Sequence, residues 1–183
     1  MTASPRLYDE ALLRRAFDAA KCARDAGDHP FGAVLADDEG KVLMEQGSGF
    51  TSEGGDRTGH AQRLLASRAA RHHSLAFLAK CTLYTAAEPC AMCAGAIYWA
   101  GIGRIVYGLS GKGLKAQTGA HEENPPLDLP CRIVFSAGQR PTEVVGPLLE
   151  DEAAALQADF WKARDAHHLC IASPLIRQGP LAI

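Results

Sequence analysis

The stretch CTLYTAAEPCAMCAGAIYWAGIGRIVYGL, from Cys81 to Leu109, carries strand, helix and strand signals in succession. Cys81 to Thr85 reads as a short strand. Pro89 suits the first position of a helix, where its missing N–H costs nothing. That helix runs to about Ala100, and Gly101 ends it. Arg104 to Leu109 then reads as another strand, which makes the whole a strand–helix–strand unit.

Working outward, Tyr8 to Ala26 reads as a helix. Leu12, Ala16, Phe17, Ala20 and Ala23 recur at helical spacing, interleaved with Arg14, Arg15 and Arg24, and Gly27 fits the stop. Phe31 to Ala36 and Lys41 to Gln46 are short strands around the turn Asp37-Asp38-Glu39-Gly40. Gly47 to Gly59 is a loop rich in Gly, Ser and Thr. His60 to Arg71 is helical. On the C-terminal side, Ser110 to Pro130 is a connection with a short helix near Leu114. Arg132 to Phe135 is a fifth strand, Pro147 to His168 a long last helix, and 168–183 an apolar tail. This order predicts an α/β fold, a mixed sheet of five strands with helices on both faces.

The chain has 183 residues, which suits one domain spanning 1–183. It carries 19 Lys and Arg against 21 Asp and Glu, a net charge of −2. No basic excess drives binding to duplex nucleic acid. No apolar run of about 18 residues predicts a membrane span. Residues 1–6 lack the apolar stretch of a secretory signal. Cysteines stand at 22, 81, 90, 93, 131 and 170, and only Cys90 and Cys93 form a tight pair. A chain of this size needs no disulfide staple, so that pair reads as metal or redox chemistry in the cytoplasm.

His60, Cys90 and Cys93 each fall at or near the start of a helix. Cys90 and Cys93 are three apart, so both thiols project from one helical face. Thiolates at a helix N-terminus are eased toward the ionised form that metals require. One imidazole and two thiolates suit zinc and leave a fourth position for water. Two other readings stay open on spacing alone. One is a structural zinc completed by Cys81, Cys131 or His121; the other is a redox pair.

Thr58-Gly59-His60-Ala61-Gln62, with Glu88-Pro89-Cys90-Ala91-Met92-Cys93-Ala94-Gly95-Ala96, resembles the cytidine deaminase superfamily, whose zinc deaminases carry His-x-Glu and Pro-Cys-x-x-Cys. The resemblance extends from Pro30-Phe31-Gly32-Ala33-Val34 to Tyr107-Gly108. Within the superfamily, Gly95-Ala96-Ile97-Tyr98-Trp99-Ala100 looks like bacterial guanine deaminases. The resemblance implies a three-layer α/β/α sandwich and a homodimer or higher oligomer. It also implies hydroxide attack on the amino-bearing carbon of a ring, with Zn2+ held by His60, Cys90 and Cys93.

At position 62 the sequence departs from the family, which carries glutamate there. Glutamate moves protons from water to the ring nitrogen and the departing amine. The amide of Gln62 has nearly the same shape but cannot accept and return a proton near neutral pH. A natural loss of the base and a deliberate isosteric replacement would both leave this sequence. The intact ligand set points to the second, and either impairs catalysis.

By the same resemblance, Phe31 packs against the base and Ala61 donates its backbone N–H to a substrate carbonyl. Glu122, in Gly119-Ala120-His121-Glu122-Glu123, matches an acid that holds the purine and assists proton movement. Trp99 is a candidate pocket wall, core residue or subunit contact. Many members carry an Asn before the His motif, whereas Gly47-Ser48-Gly49-Phe50-Thr51 has none. That opens the site to other purines, nucleosides, pterins or triazine-like rings. The favoured function is hydrolytic deamination of an aminated purine-like base or nucleoside, guanine-like rings first. Adenosine in tRNA is a rival. Yet residues 137–183 hold four Lys and Arg against six Asp and Glu, which disfavours an anticodon-binding surface. Pyrimidine deamination is a second rival, and a non-catalytic zinc-containing binding module is a third. Residues 168–183 are too apolar for a free tail and are expected to fold over a site, by resemblance the partner subunit's.

Overall fold

The computed structural model describes residues 8–52, 54–119 and 121–168. The apolar tail, apart from its first residue, lies outside them. In chain order the elements are α1 (Glu10–Asp25), β1 (Gly32–Ala36), β2 (Val42–Gly47), α2 (Ala61–His72), α3 (Leu75–Leu78), β3 (Thr82–Ala87), α4 (Ala91–Ala100), β4 (Arg104–Leu109), α5 (Gly111–Thr118), α6 (Cys131–Ser136), β5 (Glu143–Val145), α7 (Glu150–Gln157) and α8 (Phe160–His168).

The sheet has five strands in the order β2-β1-β3-β4-β5. β1 runs antiparallel to β2 and β3, while β4 runs parallel to β3 and β5. This is the predicted mixed sheet with helices on both sides. β1 and β3 are buried along their whole length, as central strands covered on two faces must be. α1 begins where Asp9 accepts the Ala11 N–H at 2.7 Å, a side-chain cap for an otherwise unpaired amide. It lays Leu13, Ala16 and Ala20 on β1 and β3, all fully buried. The approach is very close at Gly32, where a Cβ would stand 2.3 Å from the Ala16 oxygen. α7 packs beside α1 on β4, while α2 packs on β1 and β2 and against α4. Gly101, at φ 82°, ends α4 in the left-handed conformation that glycine adopts most easily.

Two sequence expectations are corrected. Arg132 to Phe135 is helical, within α6, and the fifth strand is Glu143–Val145. Ile133 is 55% exposed, so the β-branched run that suggested a buried strand is not one. The long last helix is also two helices. Asp159 takes φ 60° between α7 and α8, a conformation no continuous right-handed helix contains.

Candidate metal centre and its cavity

His60 and Cys90 sit just before the first residues of α2 and α4, and Cys93 lies in the first turn of α4. β3 ends at Ala87, three residues before Cys90, so the sheet edge delivers the thiols to the histidine. The ligand atoms of His60, Cys90 and Cys93 all lie within 4.8 Å of one another. His60 Nδ1 is 3.6 Å from the Cys90 sulfur and 3.5 Å from the Cys93 sulfur. Usual zinc–sulfur and zinc–nitrogen bonds at tetrahedral angles give an N–S edge of about 3.6 Å. The three groups therefore fit zinc. The hydrogen bond with Cys93, with help from His60, pulls the Cys90 thiol down to about 4. Cys93 is pushed up by Cys90 and by burial.

Among the described residues, neither Cys81, Cys131 nor His121 joins the metal group. Burial pushes the Cys81 thiol up to about 11 and the Cys131 thiol up to about 12, which favours the protonated forms. Among the described residues the group has three ligands, one fewer than the four of a tetrahedral site.

Gln62 is the second residue of α2, in its first turn, and is buried. Its Nε2 donates to Thr85 Oγ1 at 2.9 Å and to the Ala87 carbonyl at 3.3 Å. Its Oε1 lies 3.6 Å from the Cys93 sulfur. Both donors of an amide thus meet acceptors, while the amide oxygen faces a metal-group sulfur. Thr85 is itself fully buried and stands 3.1 Å from the Gly32 carbonyl and 3.2 Å from that of Ala87.

His60 and Cys90 line a cavity of about 910 Å3, walled by α5 and residues 123–130. Ala61, the first residue of α2, is buried beside this group. Phe31 is buried with its ring 6.4 Å from that of His60 and 24° off parallel. Trp99 is not brought to the site: it is 76% exposed and does not line the cavity. Glu122 is exposed, and its neighbour Glu123 lines the cavity instead. Glu123 accepts from Arg164 Nε at 2.5 Å and lies 2.9 Å from His29 Nε2. His29 stacks on Phe50 with centroids 4.3 Å apart, and Trp161 packs against it with centroids 5.0 Å apart. Glu123, His29, Thr85 and Glu88 were not singled out by sequence. The adjacent acids of 122–123 pointed to the segment but not to the residue.

Residues 7–109 match the model of the cytidine and deoxycytidylate deaminase zinc-binding region. The chain is 43% identical over 156 residues to a probable cytosine deaminase of Schizosaccharomyces pombe, covering 84% of this chain and 92% of that protein. It is 38% identical over 103 residues to the tRNA-specific adenosine deaminase of Haemophilus influenzae, covering 56% and 59%. The solved structure of guanine deaminase from Nitrosomonas europaea superposes with a TM-score of 0.69 at 25% identity, over 88% of this chain and 87% of that one. The family match spans the strands and helices that carry His60, Cys90 and Cys93, and the structure brings those three residues together: the chain belongs to the zinc-binding cytidine and deoxycytidylate deaminase family.

Proposed function

We propose that this protein binds an aminated, purine-like free base or nucleoside, guanine-like rings first, in the chemistry of hydrolytic deamination, and that Gln62 keeps its turnover low. The observation that carries the reading is a three-ligand metal group with zinc-like edges, no fourth ligand among the described residues, and a large adjoining cavity. Zinc in such a site acidifies water and so supplies hydroxide at neutral pH.

The chain's own residues do the rest. His60, Cys90 and Cys93 hold the metal. The Ala61 N–H, at a helix start where amides lack helical partners, donates to a ring carbonyl. Phe31 supports the His60 ring. Water and the amino ring become the oxo ring and ammonia, so protons must travel from water to the ring nitrogen and the departing amine. That traffic belongs to position 62. Gln62 offers one acceptor oxygen and two donors already engaged by Thr85 and Ala87, and it returns no proton.

A free ring rather than tRNA is supported by the acidic balance of residues 137–183. A pyrimidine ring is the second reading, favoured by the 43% identity to the probable cytosine deaminase of Schizosaccharomyces pombe. We also propose self-association as a homodimer, supported by the exposure of Trp99 and Ile133.

Ammonia release from a panel of aminated purines, pyrimidines and pterins tests the function, comparing the parent with Gln62→Glu. The glutamate version should turn over one class of ring about 10²–10⁴ times faster. Equal rates would show that position 62 is not the proton shuttle. Failure of the glutamate version on every ring would favour a binding module.

A further inference from the structure

Glu88 sits at the exit of β3, with only Pro89 between it and Cys90. Its backbone N–H donates to the Leu109 carbonyl at 2.8 Å, which carries the β3–β4 pairing one step past Ala87. Its side chain does something different with each oxygen. Oε2 accepts from the backbone N–H of Gly111, the first residue of α5, at 2.8 Å. Oε1 accepts from the backbone N–H of Cys131, the first residue of α6, at 2.9 Å.

The first amides of a helix have no partner within it and carry the positive end of its dipole. One carboxylate therefore terminates two helices at once. Both borders of the cavity run through these contacts. α5 supplies Gly111, Lys112 and Leu114 to its wall, and Pro130, just before α6, closes the other side. The turn that carries Cys90 is fixed to the same carboxylate through a single proline. A shift of Glu88 would move Cys90 relative to His60, where the nitrogen–sulfur separation is 3.6 Å.

We propose that Glu88 is a positioning residue for the metal centre, a carboxylate clamp that fixes the Cys90 turn and the cavity wall in one frame. The inference rests on the reading of His60, Cys90 and Cys93 as zinc ligands. Glu88 also lines the cavity, but its two oxygens are taken up by the Gly111 and Cys131 amides, so it acts on the metal centre through Cys90. Residues that orient metal ligands commonly change metal affinity when replaced, even though they bind no metal.

The test uses the full chain and two variants. Glu88→Gln puts an NH2 group against one of the two backbone N–H donors. Glu88→Asp keeps the charge but is one methylene short of spanning both. Zinc affinity is measured by competition with a chromophoric chelator, and cobalt(II) absorption reports the thiolate geometry. The melting temperature of the metal-free protein is the control for fold. Zinc binding should weaken about tenfold or more in Glu88→Gln and less in Glu88→Asp, with an altered cobalt spectrum in both. Parent zinc affinity and parent cobalt spectrum in a folded variant, with only the metal-free melting temperature lowered, would overturn the proposal. If Glu88→Gln does not fold, Glu88→Asp decides by the same readings. A parent chain that takes up no zinc would overturn the metal reading itself, an outcome separate from any difference between variants.

Discussion

Replacing Thr85 by Val tests the network beneath position 62. The two side chains are nearly the same size, so no cavity opens and the effect isolates the hydroxyl. Thr85 is fully buried and accepts from Gln62 Nε2 at 2.9 Å. Its one proton serves the Gly32 or the Ala87 carbonyl, 3.1 and 3.2 Å away. Valine removes the acceptor nearest the Gln62 amide, leaving it the longer 3.3 Å bond to Ala87. It also removes the proton from the two carbonyls. A buried polar group left without a partner costs about 1–3 kcal/mol, so a loss of about 2 kcal/mol is expected. For a chain of this size that lowers Tm by about 4–8 °C. Replacing Gln62 by Met as well removes the stranded donors. The double variant should then be less destabilised than the sum of the singles, by about 1 kcal/mol or more. Urea denaturation of the four proteins at one pH gives the cycle. A Thr85→Val loss below about 0.5 kcal/mol, or strict additivity, would refute the network.

Gly32→Ala should cost about 3 kcal/mol or more, seen as a lower urea midpoint. Its Cβ would stand 2.3 Å from both the Ala16 oxygen and the Ala20 nitrogen, and neither backbone atom can yield without moving α1 off the sheet. Stability should also fall with pH below about 6.5 through His29. Burial lowers the His29 pKa, and that outweighs the opposing pull of Glu123. The folded protein therefore holds His29 neutral where the unfolded chain binds a proton. That contribution is present above the ordinary histidine pKa and is lost as pH falls through the folded one. The pH slope of the urea midpoint from 7 to 5 should flatten in His29→Gln, by up to about 1.4 kcal/mol per pH unit in free-energy terms. An unchanged slope would contradict the buried neutral imidazole.

The metal group was legible because its signal is local: two thiols three residues apart behind a proline that precedes a helix, and a histidine before another helix. The central strands were legible because burial on both faces favours apolar and β-branched residues, as in Gly32–Ala36 and Thr82–Ala87. The fifth strand was not. Glu143–Val145 is three residues long and pairs only with β4, too short to show a pattern. Meanwhile Ile133, Val134 and Phe135 have strand-like composition yet form a helix whose first amide is held by Glu88. That contact joins residues 43 apart, and no local propensity reports it. The break at Asp159 is equally hidden, since a non-glycine residue there takes a positive φ. At the site, the choice of Glu123 over Glu122 as cavity wall depends on His29 and Arg164, both far away in sequence. For Trp99 the sequence left wall, core and subunit contact open, and α4 turns it outward, away from the cavity.

Zinc-edge X-ray absorption on the purified chain, with metal content measured on the same sample, tests the three-ligand zinc site most directly. One zinc per chain is expected, with two sulfurs at about 2.3 Å, one imidazole nitrogen, and one further light atom at about 2.0–2.1 Å that is not from the protein. A shell of three or more sulfurs, two imidazoles, or a protein free of zinc would contradict it.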